Sequence, residues 1–149
     1  INMKKEILYA LGGAAGVIVL HKLLKPKTSI QEATDFVNKW IQSVCDGNPE
    51  TISNLYAKDG VLVGTIAEEI KVGRDAIRPY FDMFTLKEPC GVLDSLNVQV
   101  RGNIAIADGM YTFSFGDGSD DVLARFSFVL KKERGSYKIL THHSSAQPA

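Results

Sequence analysis

The chain has 149 residues, 45% of them apolar, and its 17 Lys+Arg balance 17 Asp+Glu for a formal net charge of zero. That length suits a single globular domain with a core of its own. The balanced charge removes the electrostatic basis for a nucleic-acid partner, which a basic groove or stripe would supply.

Residues 7–20 carry no charge and are flanked by Lys4 and Lys5 on one side and by His21, Lys22, Lys25 and Lys27 on the other. The run falls short of the ~17 residues a membrane span needs, but Leu23 and Leu24 extend it to about 18 if Lys22 snorkels. A cleavable signal would need small residues after the apolar core, and residues 21–26 supply none. The segment therefore reads as an uncleaved membrane anchor. The larger lysine count on its C-terminal side places the domain in the cytoplasm, with a periplasmic or exported location as the alternative. Gly12 and Gly16 have the spacing of a helix-pairing face. Pro26 separates this segment from the rest of the chain, so residues 1–27 read as anchor and linker and residues 28–149 as the folded domain.

Ser29 with Glu32 three residues on forms a capping box, and Ala33, Phe36, Val37, Trp40, Ile41 and Val44 recur at helical spacing up to Gly47. Asn48-Pro49 starts a second, short helix with Ile52 and Leu55 facing inward. Asp59-Gly60 turns the chain into a strand over residues 61–65. Residues 73–84 return to helical spacing through Ala76, Ile77, Tyr80, Phe81 and Phe84, and residues 87–91 read as a loop. From Val92 the period changes to two: strands at residues 92–100, 104–115, 122–132 and 137–145 are joined by glycine-containing turns. Helices first and sequential strands after argue for an α+β domain with helices packed on one face of a curved antiparallel sheet. Cys45 and Cys90 lie far apart at a helix end and in a loop, and read as two unpaired thiols in preference to one disulfide.

The last strand ends Thr141-His142-His143-Ser144-Ser145-Ala146-Gln147-Pro148. Alternation puts Thr141, His143 and Ser145 on one face and His142 and Ser144 on the other. Hydroxyls beside an imidazole can orient a water or a small oxyanion, although polar residues at a strand end also suit plain solvent exposure. Because the two histidines point to opposite faces, one metal ion would not take both. Arg125 alternates against Phe126 and Phe128; it either faces solvent or enters the core side, where it would need a carboxylate or an anion. Tyr111 and Phe113 read as sheet packing, with the Tyr111 hydroxyl able to reach a pocket.

Four stretches carry a family likeness: Val61-Leu62-Val63-Gly64-Thr65; Ile77-Arg78-Pro79-Tyr80-Phe81; Gly109-Met110-Tyr111-Thr112-Phe113 with Ala124-Arg125-Phe126-Ser127-Phe128; and the terminal His142-to-Pro148 motif. Through them residues 36–148 resemble the calcium/calmodulin-dependent kinase II association-domain group of the NTF2-like superfamily, and within it the branch of iota-class carbonic anhydrases. The resemblance implies a cystatin-like cone and a pocket without metal or cofactor, with catalytic positions at Thr65, Tyr80, His143 and Ser145; Tyr111 and Arg125 are binding candidates on their strand positions alone. The chain departs from that branch at Gly64, Thr141 and Gln147, where proline, a third histidine and methionine are usual. The implied activity is reversible hydration of carbon dioxide to bicarbonate; the rival is a non-catalytic assembly or ligand-binding module. A third reading, acid/base chemistry on an apolar ligand, needs Asp82 or Asp108 to turn inward. Residues 110–115 leave neither face of their strand fully polar, so a homo-oligomer with a second subunit over the outer sheet face is expected.

Overall fold

The structure, a computed structural model, describes residues 29–149. The expected anchor and Gly12/Gly16 face lie outside the described residues. Among the described residues no helix is long and apolar enough to cross a membrane.

Helix α1 (Ser29–Cys45) buries Ala33, Val37, Trp40, Ile41 and Val44 along one stripe. Each such burial stabilises the fold by roughly 1.5–3 kcal/mol for the larger side chains. Glu32, read as half of a capping box, meets Lys132 Nζ at 2.5 Å. Helix α2 (Pro49–Ser53) starts as its sequence dictates: the Asn48 side chain accepts from the Thr51 amide at 3.0 Å and proline takes the first turn. Strand β1 (Tyr56–Val63) and the two-residue β2 (Lys71–Val72) precede helix α3 (Arg74–Phe84), and a short 3₁₀ turn (Thr85–Lys87) leads into β3 (Pro89–Arg101). The chain then meanders through β4 (Ile104–Phe115), β5 (Val122–Glu133) and β6 (Ser136–Ala146).

The six strands form one sheet in the order β2-β1-β6-β5-β4-β3. All neighbours are antiparallel except β1 and β6, which run parallel. The α+β class expected from the sequence is what the molecule adopts, with this one parallel pairing added to the antiparallel sheet. β1 begins at Tyr56, five residues before the expected start, and β3 takes in most of the segment read as a loop.

Two irregularities shape the region where β1 meets β6. Ile139 pairs with Leu130 and Thr141 with Val129, so Leu140 is an extra residue, a β-bulge in β6. On the other side Tyr56 pairs with Ile139 and Val61 with Thr141, so residues 57–60 loop out of register. Gly60 sits at this crossing, where a Cβ would stand 2.9 Å from the Ile139 carbonyl oxygen. Only glycine permits that approach of two backbones.

Cys45 and Cys90 are joined in a disulfide, with Cα atoms 4.2 Å apart. This corrects the expectation of two unpaired thiols. Sequence spacing gave no hint because the pairing depends on α1 lying across the start of β3, a tertiary contact.

Candidate functional site

The inner face of β6 carries Tyr137 and Ile139 into the core, and beyond the bulge it carries His142 and Ser144, both buried. Without the extra residue, strict alternation would have continued Tyr137 and Ile139 into Thr141, His143 and Ser145. A one-residue slip moves every later side chain to the opposite face. His143 and Ser145 therefore stand on the outer sheet face, and their expected place in the pocket is corrected to His142 and Ser144.

His142 is 2% exposed and wedged among aromatic rings, 4.1 Å from Phe128 and 5.0 Å from Trp40 between ring centroids. Its Nδ1 lies 2.8 Å from Tyr56 Oη and its Nε2 3.3 Å from Tyr111 Oη. Tyr111 donates to Ser144 Oγ at 2.7 Å, and Ser144 Oγ lies 2.7 Å from Thr65 Oγ1. A continuous relay of hydroxyls and one imidazole thus runs from the core to the end of β1. Burial, helped by the neighbouring His143, drives the His142 pKa down to about 3, so the ring is neutral at physiological pH. Burial also raises Tyr56 and Tyr111 well above the usual phenol range and pushes Tyr80 up to about 12. All five members of the relay are uncharged.

The relay ends in a cavity that offers about 50 Å³ to the centres of water-sized molecules, room for roughly three to five waters. Its walls are mostly aromatic: Trp40, Tyr80, Phe84, Phe113 and Phe115 surround Thr65 and Ser144. Among the described residues no charged side chain lines it. The Tyr80 ring lies across the end of β1, where a Cβ on Gly64 would stand 2.6 Å from two of its ring carbons. The missing side chain at Gly64 is thus what lets the tyrosine take this seat.

Of the expected site residues, the pocket holds Thr65, Tyr80 and Tyr111. Arg125, His143 and Ser145 come together elsewhere, in an open dent on the outer face, with Arg125 Nη2 donating to Ser145 Oγ at 3.3 Å. Arg125 follows strand parity: Phe126 and Phe128 take the inside, so the guanidinium faces out. Neither acidic candidate reaches the pocket, since Asp82 accepts from Arg78 at 2.9 Å on the surface and Asp108 accepts from Ser127 on the outer face. Among the described residues no group of three or more His, Cys, Asp and Glu could hold a metal ion. Sequence reasoning missed His142, Ser144 and Tyr56. The only signal for the first two was that both parities of the His-His-Ser-Ser run offer a histidine and a serine.

A profile of the family described as the calcium/calmodulin dependent protein kinase II association domain matches residues 29–148. A crystal structure from Xanthomonas campestris, described provisionally as such a domain, is 36% identical, with a TM-score of 0.76 over 82% of this chain and 90% of that one. An NTF2-like protein of unknown function from Pseudomonas putida is 22% identical (TM-score 0.73, 81% and 88% covered). A protein from Streptomyces avermitilis, described provisionally as a dehydratase of the NTF2-like family, is 18% identical (TM-score 0.75, 84% and 100% covered). These last two share the fold. Among curated proteins none matches the chain.

Proposed function

Because the chain belongs to the calcium/calmodulin-dependent protein kinase II association-domain family, a group of NTF2-like proteins, we propose that it is an assembling subunit whose pocket takes a small uncharged molecule. The observation that carries the ligand reading is the lining: aromatic walls, neutral hydroxyls, a neutral imidazole, and no ion to balance a charge. An anion would lose its hydration there with nothing of opposite sign in return.

Within that reading, carbon dioxide hydration is the reaction the family likeness favours. Thr65 and Tyr80 line the pocket, and Ser144 and His142 stand in for Ser145 and His143. Carbon dioxide is small, uncharged and apolar enough for these walls. The residues would act by holding carbon dioxide and a water in contact rather than by deprotonating the water, because a base of pKa about 3 takes up few protons at neutral pH. The water oxygen bonds to carbon while one of its protons passes to a carbon dioxide oxygen, giving neutral carbonic acid that ionises to bicarbonate and a proton after it leaves. Stopped-flow hydration assays on chelator-treated protein test this. A wild-type rate above buffer is expected, falling tenfold or more in Ser144→Ala and staying unchanged in His143→Ala. A wild-type rate equal to buffer, with and without added zinc, rejects catalysis and leaves the binding module.

Assembly is the second half of the proposal. Val61, Val63, Ile104, Ile106, Met110 and Val129 lie half-buried on the side of the sheet away from the helices, where no other described element covers them. A second copy laid over this face would complete the core-like packing that sheets require. Light scattering is expected to give at least a dimer at micromolar concentration; a monomer rejects the assembly reading. The disulfide supports an oxidising compartment, and with it the exported alternative for the domain over the cytoplasm.

A further inference from the structure

The relay has a direction, and the direction says what kind of atom the pocket accepts. Its five groups carry one proton each: the hydroxyls of Tyr56, Tyr111, Ser144 and Thr65, and the single N–H of neutral His142. Four contacts join them, between 2.7 and 3.3 Å. Four links use four protons, so one proton is left over at an end of the chain.

Tyr111 is the donor in its contact with Ser144. That direction orders the links behind it: His142 Nε2–H donates to Tyr111, and Tyr56 to the bare His142 Nδ1. In the last contact either hydroxyl can donate; with Ser144 donating, the unused proton sits on Thr65 Oγ1, at the cavity.

Tyr80 adds a second donor beside it. Its hydroxyl oxygen would come within 2.8 Å of a Cβ on Gly64, the residue before Thr65, and the Ile66 amide lies next to it. The Tyr80 proton has no acceptor among the described residues. Two O–H groups from adjoining positions therefore open into one aromatic cavity, with no acceptor of their own.

We propose that the pocket takes its ligand through a carbonyl-type oxygen received by the Thr65 and Tyr80 hydroxyls, so that its ligands are small uncharged ketones, aldehydes or esters whose apolar part lies against Phe84, Phe113 and Phe115. The proposal deepens the reading of the pocket as a small-molecule site and rests on it. An alcohol brings a proton that only a hydroxyl oxygen already engaged in a hydrogen bond could accept. A carboxylate brings a charge that finds no cation. Carbon dioxide, an uncharged acceptor, obeys the same rule.

Three probes of one size separate the possibilities: cyclopentanone, cyclopentanol and cyclopentanecarboxylate, titrated into the full chain by ligand-observed NMR, with infrared spectroscopy of the ketone. Cyclopentanone is expected to bind most tightly, and its carbonyl stretch to move to lower frequency. Thr65→Val and Tyr80→Phe are each expected to weaken it about three- to tenfold, the worth of one hydrogen bond, and to shrink the shift. If the alcohol or the carboxylate binds as tightly as the ketone, or if the carbonyl stretch does not move, the donor assignment is wrong although the pocket reading stands. If none of the three binds, the pocket reading fails and this inference with it.

Discussion

Acidifying the protein from pH 6.5 to 3 is expected to remove up to about 5 kcal/mol of stability through His142 alone, on the order of 1.4 kcal/mol per pH unit. The unfolded chain takes up a proton on this histidine near pH 6.5, whereas the folded chain holds it neutral down to about 3 because the ring is buried among aromatic side chains and His143 lies beside it. Between those values the unfolded state binds more protons, so stability is complete above the unfolded pKa and falls as the pH drops through the window. Urea midpoints at half-unit steps from pH 7 to 4 would show the slope. His142→Gln keeps an acceptor for Tyr56 and a donor for Tyr111 but cannot titrate, so its stability is expected to fall less steeply, by about 1.4 kcal/mol per unit. Parallel curves for the two proteins would show that His142 carries no such coupling.

Reducing the disulfide is expected to cost about 4 kcal/mol, the chain entropy released when a crosslink spanning 45 residues opens in the unfolded state. For a domain of this size that corresponds to a fall in Tm of roughly 15 °C. Calorimetry with and without reductant, beside the double variant Cys45→Ala/Cys90→Ala, measures it. The variant and the reduced protein are expected to melt together. A change of less than about 2 °C would mean that the crosslink restrains little that packing does not already restrain.

The elements were legible where periodicity is long. Helix α1 announces itself through the stripe from Ala33 to Val44, α2 through Asn48-Pro49, and the β3–β6 meander through alternation and glycine turns. What escaped was non-local. Tyr56 joins a strand because β6 returns beside it in parallel, a pairing that no neighbouring residue records. Cys90 meets Cys45 because a helix crosses a strand.

The candidate site was half legible for the same reason. Tyr80 lies on a helix whose inner face is set by its own apolar spacing, and Thr65 lines the pocket from the turn just past β1, where the expected strand over residues 61–65 has already ended at Val63. The resemblance puts His143 and Ser145 in the pocket and alternation groups them on one face, but the extra residue Leu140 turns that face outward. That bulge is fixed by backbone fit against β1 and β5, including the close approach at Gly60. Alternation tells which residues share a face; it does not tell which face is inside once a strand carries an extra residue.

The same bulge gives the doublets His142-His143 and Ser144-Ser145 a meaning beyond the pocket they now furnish. A deletion of Leu140 would exchange the two faces of the strand's end, sending His142 and Ser144 outward and His143 and Ser145 inward. The interior would still receive a histidine followed, two residues on, by a serine. A repeated pair is thus a form of error tolerance: descendants could gain or lose a residue in this strand and keep the imidazole and hydroxyl that the tyrosines require. The position number of the buried histidine would drift between relatives while its surroundings stayed the same.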